Sequence, residues 1–533
     1  MKRRNLSLSL APSIILSLFM TLVSCTKDTP CESCQANPDN LPKLEVKDLP
    51  GEVRIAPRSN LKLSATVNGE SPDMEYRWFI IDPIREKTHM SEVFYTADTI
   101  SKEKDLDYYV SLKAGRYILG LKVTDNNTGV SSISTTDLEV STPTSRGFYI
   151  LKENAQGDTD IDLFSPEVPN TSSTGNLFFD DLLKNNKGSA LPGKPLTIGV
   201  MYSQYHLDLE RFEAGEEEMT FSTTLCITTQ EDSVIFITTS ELADIYPDGR
   251  MFYIPRDKGF KPIRGFSNLF SSMLLSNQGI HSAYHQLSGS GGRGILSEAI
   301  GEPATEHVVS NSSGLEQYYW SSNQTGAYAM DYNAEVYPVD GMPGELRKME
   351  CLSAGCSQVG SQEAILYFLL QSSQSPHTRY LAYIDEEQGT FMKADTIPAS
   401  LPLSTAKVFA ACTRSANLIY YTDGSKLHGM TLDKSMNDRI LPLQGIGAGE
   451  EITYLSNRYW IYKKDKPFNF DYLIVGTQKG DAYTIYFYNL LGGTPDGAPV
   501  HKISGKGIVR MVDYVSTNVA DYDGLISYPI VDI

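Results

Sequence analysis

The chain has 533 residues, 41% hydrophobic and 21% charged, enough apolar material for more than one packed core. Lysine and arginine number 46 against 65 aspartates and glutamates, a formal net charge of −19; so acidic a chain lacks the basic footprint that general nucleic-acid binding needs to displace counterions. With 31 tyrosines and 41 glycines the composition leans toward β-structure and excludes collagen, coiled-coil and disulfide mini-protein architectures.

At the N-terminus, Lys2-Arg3-Arg4 precedes an apolar run from Leu6 to Val23 broken by Pro12, the n-region and h-region of a secretory signal. The run ends Leu22-Val23-Ser24-Cys25, which resembles the lipobox of bacterial lipoproteins, whose cysteine is acylated and becomes the mature N-terminus. Residues 1–24 are therefore expected to be a lipoprotein signal peptide, and without them the charge balance becomes 43 − 65 = −22. The apolar span is about the minimum for a membrane helix, so an uncleaved anchor is the alternative. The small residue before Cys25 and the polar segment after it favour the lipoprotein. Thr26-Lys27-Asp28 resembles the signal that sends lipoproteins of Bacteroidota to the outer face of the outer membrane, so a lipid-anchored protein facing the cell exterior is expected. Residues 25–40 are rich in Pro, Asp, Asn and Ser and read as a flexible tether.

Beyond Cys25 there are six cysteines. Cys31-Glu-Ser-Cys34 is a single CxxC in the tether, with neither the second pair of a zinc site nor a thioredoxin context. Cys226 lies in an apolar run and reads as a small hydrophobe, Cys351 and Cys356 flank a short Leu-Ser-Ala-Gly segment read as a loop across which they can pair, and Cys412 has no evident partner.

Residues 41–143 alternate as a small β-sandwich does, in Leu61–Val67, Tyr76–Ile80 and Tyr117–Val123, with a turn at Asp125–Gly129 leading into Val130–Val140. Trp78 has the place of the tryptophan that immunoglobulin-like sandwiches bury between their sheets. Tyr76-Arg-Trp78, Gly115-Arg-Tyr117 and Val123-Thr-Asp125 resemble the landmarks of PKD (polycystic-kidney-disease) domains.

From Arg146 onward, hairpins rich in tyrosine and phenylalanine recur without a long amphipathic helix. Gln317–Trp320 turns into Ala327–Tyr332, Ile365–Leu370 pairs with Arg379–Tyr383, Leu418–Tyr421 with Lys426–Met430, and Leu473–Gly476 with Tyr483–Phe487. Taken from Leu315, Ile365, Leu418 and Leu473, the intervals are 50, 53 and 55 residues, the period of a four-stranded propeller blade. The 388 residues 146–533 then make about seven blades, the first half (Leu196–Tyr202, Thr223–Thr239, Arg250–Ile254) being less regular. The fold class is all-β, a PKD-like sandwich followed by a β-propeller, with a sheet sandwich or β-helix as the alternative for the second part.

The order of lipobox, tether, PKD-like sandwich and propeller resembles the PKD-like family of lipoproteins in Bacteroidota. The resemblance implies association with SusC/SusD-type uptake systems, in which a TonB-dependent transporter works with a SusD-like lid lipoprotein.

Motifs for chemistry are sparse. There is no G-x-S-x-G nucleophile elbow and no α/β region to hold one. His281 and His285 are spaced i, i+4 but lack the glutamate of H-E-x-x-H, and Gly289–Gly294 matches G-x-G-x-x-G without the strand and helix that nucleotide binding needs. Asp158-Thr-Asp-Ile-Asp162 lacks the glycine and glutamate of a calcium loop and reads as a solvent-facing strand; Glu213–Glu218 reads as a solvated loop and Asp521–Gly524 as a turn. No metal or cofactor is implied. Two aromatic clusters are the candidate ligand-binding sites, with Tyr319 and Trp320 in one and Trp460 and Tyr462 in the other; blade packing is the competing role. The resulting expectation is a non-catalytic surface lipoprotein, an accessory or ligand-binding subunit of an outer-membrane complex that takes up peptide or glycan. A propeller enzyme acting on glycans or peptides and an envelope adhesion protein are the alternatives.

Overall fold

Alternating apolar side chains build the first module. The computed structural model describes residues 43–515 and 530–531, apart from 90–91, 168–174, 208–218, 247–249, 255, 268–270, 285–293, 315, 332–334, 361, 376–377 and 461–468. The strands Glu52–Ile55, Ser131–Val140, Gly115–Asp125, Met74–His89 and Glu92–Ser101 lie side by side in that order, and the two-residue strand Ile530–Val531 pairs with Glu92–Ser101 as a further edge. Two short ladders, Glu45–Lys47 with Thr66–Asn68 and Asn60–Leu63 with Leu106–Tyr109, share one core with this sheet. The run Leu61–Val67 thus divides at Ser64-Ala65, because Leu61 and Val67 enter that core from different ladders. Trp78 is fully buried and donates its indole N–H to Lys104 O at 3.2 Å. The Tyr117 hydroxyl donates to Lys113 O at 3.0 Å, a tyrosine corner closed four residues upstream. At the Asp125–Gly129 turn, the Asn127 amide (3.0 Å) and the Thr128 hydroxyl (2.9 Å) bind the Asp125 carboxylate and hold it below the usual carboxylate range.

The second module is a ring of seven sheets. Blade 1 combines Ile508–Val515, at its inner edge, with Gly147–Glu153, Thr159–Ser165 and Leu177–Phe179. Blade 2 is Pro195–Leu207, Met219–Thr229 and Val234–Thr238, and blade 3 is Pro262–Ser267, Ser271–Ser276 and Gly279–Tyr284. Blade 4 runs Ala304–Ser310, Gln317–Ser321, Ala327–Met330 and Val336–Pro338; blade 5 runs Glu350–Ser357, Ile365–Gln371, Arg379–Asp385 and Thr390–Ile397. Blade 6 runs Val408–Ala411, Leu418–Thr422, Leu427–Thr431 and Asp438–Leu441; blade 7 runs Glu451–Trp460, Phe470–Lys479, Ala482–Leu491 and His501–Lys506. Each hairpin expected in residues 317–487 supplies the second and third strands of a blade. The inner strands touch in circular order, and the last, Ile508–Val515, pairs with the first strand after the sandwich. This seam closes the ring, and each blade keeps only its short outer strand as an edge.

Blades 2 and 3 hide from period counting because their fourth strands shrink to single bridges, Ile237 with Asp244 and Ile280 with Ile300. Thr223–Thr239 spans a hairpin, and within Arg250–Ile254 only Phe252 makes a bridge, to Leu296. The inner strands of these two blades pass so closely that a Cβ on Gly199 would lie 1.7 Å from Gly265 O. Cys226 is buried there, where its small side chain is what the space admits.

Tyrosine suits this architecture because its ring fills the space between blades while its hydroxyl reaches a carbonyl at the edge. Tyr318 donates to Glu386 O at 3.0 Å, Tyr420 to Gly493 O at 2.9 Å and Tyr488 to Gln444 O at 2.6 Å. The seam between blades 1 and 7 is aromatic, with Phe148 4.8 Å from Phe487 and 4.9 Å from Tyr514, centroid to centroid. Such pairs contribute about 0.5–1.5 kcal/mol each beyond their buried area.

Candidate functional site

The inner strands share an irregularity at one level. Register shifts fall at Leu196, Ile263, Thr305–His307, Leu352, Thr453 and Arg510, in six of the seven inner strands. A bulge adds an unpaired residue to a strand and re-aims the side chains beside it. Around the axis, these bulges or their immediate neighbours carry Arg264, Glu306, His307, Tyr454 and Arg510.

The charges meet across the axis. Arg510 of blade 1 binds Glu306 of blade 4 with one guanidinium nitrogen on both carboxylate oxygens, at 2.8 and 2.6 Å, and its Nε donates to Leu196 O of blade 2 at 3.3 Å. Arg458 of blade 7 lies 3.5 Å from Asp513 and donates to Tyr514 O at 3.4 Å, while the Tyr454 hydroxyl donates to Val512 O at 3.2 Å. Arg264 of blade 3 senses Asp513 and Glu306 as opposite charges and Arg458 as a like charge. Blade 3 feels blades 1 and 7 in this way only across the axis. Burial pulls the Arg264 guanidinium below its ordinary value, and burial likewise keeps the His307 imidazole below its own, so His307 is neutral at pH 7. At the rim the exposed Glu350 begins the inner strand of blade 5. Toward the other mouth Arg414 donates to Gln358 and to the Tyr459 hydroxyl, both at 2.8 Å, and lies 4.7 Å from the Tyr459 ring centroid.

The aromatic residues singled out from sequence sit elsewhere. Tyr319 is fully buried, stacked 5.7 Å from Tyr328 with its hydroxyl on Glu302 O. Trp320 is 2% exposed, packs 5.4 Å from Phe368 and donates to Met349 O at 3.1 Å. Protein occupies both rings, so neither offers a face to a ligand, and the reason is that the second strand of a blade is flanked by neighbouring blades on both sides. Trp460 contributes its backbone to the pairing with Phe470; its side chain, and all of Tyr462, lie outside the described residues, as do Cys25, Cys31, Cys34, Glu213–Glu218, His285 and Asp521–Gly524.

Two further readings are corrected. Cys351 and Cys356 are both free and lie on one strand, Glu350–Ser357, rather than across a loop. Asp160 and Asp162 face the interior rather than solvent, both 0% exposed, because their strand is enclosed in blade 1 against blade 7. Lys152, itself 2% exposed, lies 2.6 Å from Asp162 and 2.7 Å from Asp181, and Asp162 also accepts the Tyr483 hydroxyl and the Asp181 amide at 2.8 Å. Burial would discharge Lys152, but the two carboxylates hold its ammonium above the ordinary lysine value. The lysine occupies the position a bound cation would take. His281 is likewise satisfied, with Ser276 Oγ at 3.0 Å and Ser297 O at 2.8 Å, and burial lowers its affinity for a proton.

The axial charges escaped sequence reading because they come from four distant segments. Arg264, Glu306, Arg458 and Arg510 form no motif, and the bulges at or beside Arg264, Glu306 and Arg510 leave no mark on hydropathy.

Comparison with known proteins matches residues 42–195 to the PKD-like family, a span covering the sandwich and the outer strands of blade 1. No curated protein matches the chain. Among solved structures, a quinoprotein alcohol dehydrogenase-like protein from Bacteroides thetaiotaomicron is 12% identical, with 87% of this chain and 96% of that one covered at a TM-score of 0.36. A periplasmic gluconolactonase from Pseudomonas aeruginosa is also 12% identical, with 70% and 100% covered at 0.36. The extracellular domain of a one-component system from B. thetaiotaomicron is 12% identical at 0.36, covering 76% of this chain and 57% of that one. The seven-bladed ring stands on its own strand pairings, not on these likenesses.

Proposed function

We propose that the protein is a lipid-anchored surface protein whose propeller is the ligand-binding platform of an outer-membrane uptake complex. The observation that carries this reading is the axial cluster, where bulged inner strands of different blades turn arginines toward one point. Residues that serve only packing have no reason to converge there, whereas a binding site needs charged groups held by rigid elements. The sequence at Leu22–Cys25 supports the anchor, with acyl chains on Cys25 and a tether supplying reach. The PKD-like match supports the sandwich as a spacer or docking face. A TonB-dependent transporter and its SusD-like lipoprotein are the partners, and the cargo is a peptide or a glycan.

The test is a mild-detergent pull-down of the lipidated protein from its native outer membrane. Recovery of a transporter and its lid lipoprotein in stable ratio is the expected result, and a preparation of this chain alone would sink the complex. Cys25→Ala should release the protein from the membrane fraction; retention would refute the lipid anchor.

A further inference from the structure

On the axis, the Arg264 guanidinium stands without a partner among the described residues. Arg510 is clasped by Glu306, and Arg458 has Asp513 and Tyr514 O. Arg264 has no hydrogen bond or ion pair among the described residues, and its Nε is enclosed with nothing to donate to. An enclosed guanidinium N–H without an acceptor works against the fold, since its desolvation is not offset. Its like-charged neighbour Arg458 adds to that cost. Asp513 and Glu306 act on it at a distance, but each is engaged by another arginine. Around the axis three guanidinium groups therefore face the two carboxylates of Glu306 and Asp513, with His307 neutral beside them and Glu350 out at the rim.

We infer that Arg264 holds an oxyanion of the ligand, a carboxylate or a sulfate group, on the propeller axis. A planar guanidinium presents parallel N–H groups that match a carboxylate or sulfate edge, and the enclosed surroundings strengthen such a bond relative to water. The neighbouring arginines add field, while the Glu306 and Asp513 pairs fix their positions. Arg264 itself is half-buried, so part of the side chain remains open to the channel. This inference rests on the axis being the ligand site of the proposed binding platform and names the chemical group it takes.

The test uses the full mature chain in mild detergent, titrated with sodium sulfate and with sodium glucuronate. Sodium chloride at equal ionic strength and glucose are the controls, read by calorimetry and thermal unfolding. At least one of the two oxyanions should bind and raise the unfolding temperature beyond the chloride control, and glucose should do neither. Sulfate alone would assign the site to a sulfate or phosphate group, glucuronate alone to a carboxylate. Arg264→Gln should weaken binding at least tenfold while leaving the ligand-free unfolding temperature equal or higher, the opposite of what removing a structural arginine does. No response of the natural protein to either anion overturns the inference, and so does an Arg264→Gln affinity within twofold of it. Should Arg264→Gln not fold, Arg264→Lys keeps the charge without the fork and is expected to weaken binding as well. The pull-down reads the uptake complex independently: partners recovered without oxyanion binding would remove this inference alone, and oxyanion binding without partners would remove the complex alone.

Discussion

Two charged clusters flank blade 1, and they differ in how their charges are satisfied. Between blades 1 and 7, Lys152 is closed in by Asp162 and Asp181, while Tyr483 and a backbone amide complete the coordination of Asp162. On the axis, Arg510 and Arg458 have partners from other blades, and Arg264 has none among the described residues. Both clusters are built from residues far apart in sequence, and in both the ring brings them together. In the first, Lys152, Asp162 and Tyr483 hold one another, so it works as a cross-link between blades. The second keeps one donor group in reserve, which a cross-link has no use for and a binding site requires.

Substitutions separate the two kinds of cluster by size of effect. Asp162→Ala should be the most damaging, because it strands the Lys152 ammonium and leaves the Tyr483 hydroxyl without its acceptor; a loss of roughly 3–5 kcal/mol by denaturant unfolding is expected. A loss under about 1 kcal/mol would show that water or rearrangement satisfies Lys152 and that the cluster is not closed. Tyr483→Phe keeps the ring, which packs over Gly505, and removes one hydrogen bond to a carboxylate, so about 2 kcal/mol is expected in the same measurement. Trp320→Phe, also in the filled space between blades, removes the hydrogen bond to Met349 O and some volume, and should cost about 1.5 kcal/mol with no change in ligand binding. An affinity change without a stability change would return Trp320 to the candidate ligand contacts. On the axis, Glu306→Gln should change stability by less than about 1 kcal/mol, since Arg510 and Glu306 are both partly solvated. The same substitution frees Arg510 and should tighten oxyanion binding; weaker binding would mean that Glu306 itself contacts the ligand.

Much of the architecture was legible because it is repetitive and local. Blades 4 to 7 carry their hairpins as alternating apolar residues around turn sequences such as Asp423-Gly424, and the pairing of Leu418–Thr422 with Leu427–Thr431 follows from that pattern. Blades 2 and 3 were less legible because their outer strands are reduced to isolated bridges, which leave too few alternating residues to register. Asp158–Asp162 misled for a related reason. Alternating acids signal a solvated face only when one face of the strand is exposed, and in a blade both faces are covered.

The sequence by itself determined the β-class, the PKD-like sandwich around Trp78 and the period of the later blades. These are properties of neighbouring residues: alternation, turn chemistry and a short motif are all written within a few positions of one another. Only the tertiary structure decided that the last inner strand, Ile508–Val515, closes the ring on Gly147–Glu153. It also decided that Tyr319 and Trp320 fill the interior, that Lys152 neutralises Asp162, and that Arg264, Arg458 and Arg510 meet on one axis. Those outcomes depend on closing a circle of seven sheets, which sets distances between residues up to hundreds of positions apart and fixes which polar groups find a partner.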